Sequence, residues 1–226
     1  MIRRSEEMSK PTVHATAPLA SCSDLPRVQT TEIVDDLADR GFTIRRGLFD
    51  EDYLRALTAE ARDAWPDGEF GQAGISRGVD LGTEIRAGHV LCLDPAAPTA
   101  LQRRYLDFIG DIRHQLAREL FLPLHGFEAR FAIYPAGACY ARHLDQFQQQ
   151  PHRLVSCLLY LNEDWQGHDG GELCIFEPPD EDGEENEILV LPEFGTFVAF
   201  LSDRIEHEVR PTHRERLSLA GWLRRE

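Results

Sequence analysis

A chain of 226 residues with 39 acidic and 24 basic side chains carries a formal net charge of -15, which argues against a nucleic-acid partner, because phosphate binding needs a basic surface. Its 42% hydrophobic and 28% charged content is that of an ordinary globular protein, long enough for one domain with a substantial core. No run approaches the roughly 20 apolar residues of a membrane span. Lys10 is the only lysine, so any cation inside the domain must be an arginine; the same bias suggests a GC-rich, bacterial genome. The five cysteines are odd in number and lack C-x-x-C spacing, as expected of small buried side chains in a reducing compartment. Met1-Ile2-Arg3-Arg4 is followed by Ser5-Glu6-Glu7 rather than an apolar stretch, so no secretory signal is read and a cytoplasmic location is expected.

In chain order, residues 1–28 mix Pro, Ser, Thr and Ala without periodicity and read as a disordered N-terminal segment. Thr30 and Thr31 are candidate caps for a helix carrying Ile33, Val34, Leu37 and Ala38, which Gly41 stops. Phe42 to Arg46 alternates like a strand. Asp50 is a candidate N-cap for a second helix with Tyr53, Leu54, Leu57, Ala61 and Trp65 on one side. Residues 67–88 hold six glycines, too long a connection to be ordinary, and read as a functional loop or hairpin. A third helix is expected from about Thr99 to Leu120, with Leu101, Tyr105, Phe108, Ile109, Ile112, Leu116 and Leu120 as its apolar stripe.

Beyond Leu124 the pattern changes to short strands: Glu128–Tyr134, Cys139–His143, Arg153–Leu161, Glu172–Phe176, Ile188–Val190, Thr196–Phe200, Glu206–Val209 and Arg216–Leu223. Eight such runs separated by Gly, Pro and Asp predict a sandwich or barrel rather than alternating β-α units. The acidic run Glu177–Glu187 reads as a solvated loop between two of them.

The chemistry concentrates at Tyr140-Ala141-Arg142-His143-Leu144-Asp145. On an extended strand His143 and Asp145 project from one side and can hold adjacent positions on a metal. His207 is the natural third ligand. Two imidazoles and one carboxylate form the facial triad of non-haem Fe(II) oxygenases, which leaves coordination positions open. An enzyme of that kind using 2-oxoglutarate also needs a cation for the distal carboxylate, and the planar fork of arginine suits it. Arg216 lies nine residues after His207, Ser218 shares its strand face, and Tyr160 can add a phenol from a neighbouring strand.

Several separate motifs, in order, make the chain resemble the 2-oxoglutarate- and Fe(II)-dependent prolyl hydroxylases, in particular those acting on hypoxia-inducible factor and their bacterial relatives. The text that carries the resemblance spans roughly residues 128–226: Tyr134-Pro135, Tyr140 to Asp145, Tyr160-Leu161-Asn162-Glu163-Asp164-Trp165, Gly170-Gly171-Glu172-Leu173, and Leu201-Ser202-Asp203-Arg204 running on to His207-Glu208-Val209, then Arg216 and Trp222. The resemblance implies an α+β, mainly β fold: a double-stranded β-helix (jelly-roll) core supported by N-terminal helices. One domain is expected over 29–226, with helical support over 29–125 and a catalytic β core over 126–226. It further implies His143, Asp145 and His207 as iron ligands, and Arg216, Tyr160, Tyr134 and Ser218 around 2-oxoglutarate. Fe(II), 2-oxoglutarate and O2 are the expected cofactor and cosubstrates, with ascorbate as a reductant. Collagen-type relatives anchor the cosubstrate with lysine, which this chain lacks there.

The implied reaction is hydroxylation of a prolyl residue in a protein, such as the translation factor EF-Tu, with release of succinate and CO2. Arg153 falls where a basic residue near the entrance is expected, and Trp222 where either packing or a pocket wall is. Glu84-Ile85-Arg86 resembles the end of the mobile segment that closes over substrate, which makes 67–88 a candidate lid with Arg77, Asp80 and Arg86 as substrate contacts. Alternatives are the same chemistry on a small molecule or free amino acid, and a non-catalytic β-helix binding module. The oligomeric state is not legible in the sequence.

Overall fold

The computed structural model describes residues 27–65, 71–72, 88–146, 151–177, 183 and 185–225. Arg77, Asp80 and Arg86, most of the glycine-rich loop, the first 26 residues and much of the acidic run 177–187 therefore lie outside the described residues.

The first helix, α1 (Arg27–Asp39), starts three residues before the expected Thr30/Thr31 cap. The sequence has Pro26 directly before it, and a proline is tolerated at the start of a helix because its missing N–H has no partner to lose. Thr31 instead accepts a hydrogen bond from the Gln115 side chain at 2.9 Å. Gly41 closes the helix in a left-handed conformation, φ 81°, which a glycine adopts without penalty. β1 (Phe42–Arg45) and α2 (Glu51–Ala64) follow, and Asp50 caps α2 by accepting from the Tyr53 N–H at 2.8 Å. β2 (Gly71–Gln72) and β3 (His89–Cys92) precede α3 (Ala100–Glu119), which begins where expected, with Thr99 as its N-cap, and carries the expected apolar stripe. Eight further strands complete the chain: β4 (Gly126–Tyr134), β5 (Tyr140–His143), β6 (Arg153–Tyr160), β7 (Leu173–Phe176), β8 (Glu187–Val190), β9 (Phe197–Leu201), β10 (Glu206–Val209) and β11 (Arg216–Arg224).

These strands form two antiparallel sheets. The larger has the order β1-β9-β6-β11-β4-β3-β2, the smaller β5-β10-β7-β8. Strands β4 to β11 divide equally between them, giving the double-stranded β-helix, and β1, β2 and β3 extend the larger sheet. The region 29–125 is thus not helical support alone: three of its segments are strands of the main sheet. No helix among the described residues is long and apolar enough to cross a membrane.

Two-residue alternation sorts the larger sheet into two faces. Leu217, Leu219 and Leu223 of β11, with Cys157 and Leu159 of β6 and Phe197 and Ala199 of β9, join the buried cluster under the helices. Phe108 of α3 meets Phe197 edge-on, with ring centroids 5.4 Å apart. The opposite face sends Tyr160, Val198 and Phe200 inward, where they meet Leu173, Ile175 and Val190 of the smaller sheet. Leu219 is fully buried, so truncating it to alanine would cost about 2–5 kcal/mol. Cys157 and Cys174 are buried as expected, whereas Cys92 is exposed.

Candidate active site

The inner face of β11 carries Arg216, Ser218, Ala220 and Trp222 in alternate positions, all buried. Facing them from the smaller sheet, β5 and β10 place His143 directly opposite His207, and the pairing shifts register just beyond, between His207 and Val209. Such irregularities re-aim side chains beside functional sites. The imidazole centroids are 4.3 Å apart. β5 ends at His143, so Asp145 lies in the bend that follows and not on the extended strand the sequence suggests. The bend is tied by the Gln146 N–H donating to the Ser202 carbonyl at 2.9 Å, and the carboxylate returns to the side of the histidines.

One ligand atom from each of His143, Asp145 and His207 lies within 4.8 Å of the others. Nε2 of His143 is 3.5 Å and Nε2 of His207 3.9 Å from Oδ1 of Asp145. The remaining polar atoms of all three are already engaged. Nδ1 of His143 is 2.8 Å from the Ala141 carbonyl and Nδ1 of His207 is 3.2 Å from that of Ile205, contacts that place the proton on Nδ1 and the lone pair on Nε2. Oδ2 of Asp145 accepts from the Ser156 hydroxyl at 2.6 Å and from the Trp222 indole N–H at 2.8 Å. Ser156 is itself 2.9 Å from the Ser202 hydroxyl. Two lone pairs and one carboxylate oxygen therefore converge on one point.

The charge states agree with this. Burial pushes the His207 imidazolium down to about 4, so the ring is neutral and able to ligate near pH 7. Burial also works to raise the Asp145 carboxyl, but the polar His143 and His207 rings facing Oδ1 and the Ser156 and Trp222 donors at Oδ2 outweigh it and hold the group well below the usual carboxylate range. Two imidazoles and one anionic carboxylate fit a divalent ion with open positions.

At the other end of β11, Arg216 pairs across to Tyr134 of β4, and Ser218 to Tyr160 of β6. Nη2 of Arg216 donates to the Tyr160 hydroxyl at 3.3 Å. Its Nε is buried without a hydrogen-bond partner, and no carboxylate pairs with it among the described residues. A guanidinium only 5% exposed and so incompletely satisfied is costly to keep, and a carboxylate ligand is the group that would complete it. Burial raises the Tyr160 phenol, so it stays protonated and has its own hydrogen to donate. The cradle fits the distal carboxylate of 2-oxoglutarate. Gly88 packs against the Tyr134 ring so closely that a methyl there would overlap it.

The expected residues thus fall into two groups, the triad at the Trp222 end of β11 and Arg216, Tyr160, Tyr134 and Ser218 at the other. Arg153 and Trp222 stand together: the Arg153 guanidinium lies 3.7 Å from the indole centroid, with its Nε donating to Glu128 at 2.8 Å. Arg142 is held by Glu185 and Glu206. The sequence reading missed Ser156, Ser202 and Tyr140, whose ring lies 4.2 Å from that of His143. Tyr140 and Ser202 had a signal, their places in the motifs around His143 and ahead of His207; Ser156 had none.

The superfamily model for 2OG-Fe(II) oxygenases matches residues 129–224. Across the wider chain, the crystal structure of a Pseudomonas putida prolyl-4-hydroxylase is 41% identical with a TM-score of 0.75, covering 88% of this chain and 100% of that one. The chain belongs to the 2OG-Fe(II) oxygenase superfamily. This oxygenase is a 2-oxoglutarate-dependent dioxygenase that uses Fe(II) and 2-oxoglutarate. It is also 36% identical over 198 residues to the mouse protein Egl nine homolog 1, covering 84% of this chain and 45% of that protein, so it spans under half the relative's length. A Trichoplax adhaerens prolyl hydroxylase, solved with a peptide fragment of the hypoxia-inducible-factor oxygen degradation domain, shares the fold at a TM-score of 0.75 and 23% identity, covering 87% of this chain and 89% of that one.

The Trp222 bond to Asp145 gives a direct test. Trp222→Phe keeps an aromatic ring and removes the donor, so Asp145 loses one of two restraints and Fe(II) affinity is expected to fall about 10–100-fold. Metal titration of the apo protein measures this, and unchanged affinity would reduce Trp222 to packing.

Proposed function

We propose that this oxygenase hydroxylates a prolyl residue in a protein substrate and releases succinate and CO2. His143, Asp145 and His207 would hold Fe(II), while Arg216 and Tyr160, bordered by Tyr134 and Ser218, would hold the distal carboxylate of 2-oxoglutarate. The observation that carries this reading is the buried, incompletely bonded Arg216 on the same strand face as the residue that anchors Asp145. Bound there, iron and 2-oxoglutarate supply the oxidation that places one oxygen atom of O2 on a C–H bond. The chain's own part is to fix Oδ1 of Asp145 through its Oδ2 bonds, keep both Nε2 atoms unprotonated, and orient the cosubstrate by its far end.

Support for a prolyl target comes from the similarity to prolyl hydroxylases, and a translation factor such as EF-Tu is a first protein to try. Incubating the iron-loaded enzyme with lysate of its own organism and mapping prolines that gain one oxygen by mass spectrometry tests the reading. Succinate formed without any such proline would overturn it. Tyr160→Phe removes one hydrogen bond from the cosubstrate cradle and should raise KM for 2-oxoglutarate several-fold, with kcat changing less. An unchanged KM would place Tyr160 in the core only.

A further inference from the structure

Two arginines stack on the Trp222 indole, and their surroundings differ. Arg153 shares the Glu128 carboxylate with Arg224, at 2.8 and 2.7 Å respectively, so its charge is answered within the protein. Arg130, 4.8 Å from the indole centroid by its Cζ, pairs with no carboxylate among the described residues. Its Nε is buried without a hydrogen-bond partner.

Its position is as informative as its lack of partners. On β4, Arg130, Ala132 and Tyr134 alternate onto the inner face, while Ala129, Phe131 and Ile133 join the core under the helices. Arg130 stands opposite Ala220, four residues from the Tyr134–Arg216 row, which is about 13 Å of strand. It is therefore too far along the sheet to share the cradle around Arg216. Trp222, on which Arg130 stacks, donates its indole N–H to Asp145, so Arg130 stands one side chain away from a proposed iron ligand. A cation there, in a protein of net charge -15, is a local reversal of sign beside the reacting centre.

We infer that Arg130 is a specificity-determining residue that receives a carboxylate of the substrate close to the residue being hydroxylated. This rests on reading the site as a peptide hydroxylase, and it names the substrate class: prolyl segments with an acidic group nearby. A guanidinium with an unfilled N–H fits a carboxylate better than a neutral acceptor, because the charge-assisted bond is the stronger one. The carboxylate can come from an Asp or Glu side chain or from a chain terminus.

The test is equilibrium binding, by anaerobic calorimetry, to the enzyme loaded with Fe(II) and 2-oxoglutarate. The probes are acetyl-Gly-Ala-Ala-Pro-Ala-Ala-Gly-amide with Asp or Asn replacing each alanine in turn, and acetyl-Gly-Ala-Ala-Pro-Ala as free acid or amide. At least one charged probe should bind about tenfold or more tighter than its neutral twin, and whether that probe carries Asp or a free terminus identifies the source. In Arg130→Met the preference should collapse to about twofold or less, and Arg130→Lys should keep part of it. An arginine that only covers Trp222 would weaken charged and neutral peptides alike, leaving the ratio intact. That result, or a wild-type enzyme that binds no charged probe preferentially, overturns the assignment. If the methionine variant does not fold, Arg130→Gln supplies the same comparison. Admitting oxygen separates the two readings: a charge preference without oxygen gained at proline would leave Arg130 standing and remove the prolyl target.

Discussion

Asp145→Ala is expected to lower succinate formation by at least about a thousandfold, a barrier increase of roughly 4 kcal/mol. The structure gives the reason in two parts. Oδ1 faces the Nε2 atoms of both histidines, so its loss removes the only anionic member of the donor set. Oδ2 is the acceptor for Ser156 and Trp222, so the same change strands a buried indole N–H while Ser156 keeps Ser202 as a partner. Leaving one donor unsatisfied costs about 1–3 kcal/mol, which corresponds to roughly 2–12 °C in Tm for a domain of this size. The protein should therefore fold and fail to retain iron. His143→Ala and His207→Ala are expected to behave alike in activity. Metal analysis, circular dichroism and a succinate assay on the three variants check this together, and full activity in any one removes that residue from the ligand set.

Arg216→Lys should raise KM for 2-oxoglutarate by about 10–150-fold, the range that corresponds to losing one hydrogen bond to a charged group at roughly 1.5–3 kcal/mol. Lysine preserves the charge but not the geometry. The fork reaches Tyr160 through Nη2 and leaves Nε for a second bond, whereas an ammonium offers a single point that cannot serve both. Because the bond is made to the bound cosubstrate before as well as during reaction, the change belongs mainly in KM. Steady-state kinetics over a wide range of 2-oxoglutarate concentration decides it. A loss confined to kcat would mean that the distal carboxylate sits elsewhere.

The eight C-terminal strands were legible because each alternates in a chain rich in turn residues, and a period of two is a direct record of a sheet face. The triad and Arg216 were legible for a related reason: His143, His207 and Arg216 sit on strands at fixed separations, and Asp145 follows His143 by two residues. What stayed hidden depends on contacts between sheets. Ser156 is an unremarked serine in the sequence, and becomes a partner of Asp145 only because β6 lies beside β11 and across from the bend after β5. Trp222 likewise had two readings until its N–H acquired an acceptor. β2 and β3 were missed because a two-residue strand and a four-residue strand, His89–Cys92, bear too little pattern to be told from loop. Arg153 and Arg130 are indistinguishable as letters, and only Glu128 separates them.

The division of β11 into a leucine face and a site face limits how this strand can change over time. A point substitution alters one face, but inserting or deleting one residue between 216 and 222 without a bulge to absorb it puts Arg216 and Trp222 on opposite faces, so that one of them turns toward the helices. No intermediate with half the shift exists. A change of length within this strand therefore costs one end of the site, while a change in its flanking loops does not. New substrates must then be reached by replacing letters on β4, β5 and the loops around them, with β11 kept at constant length.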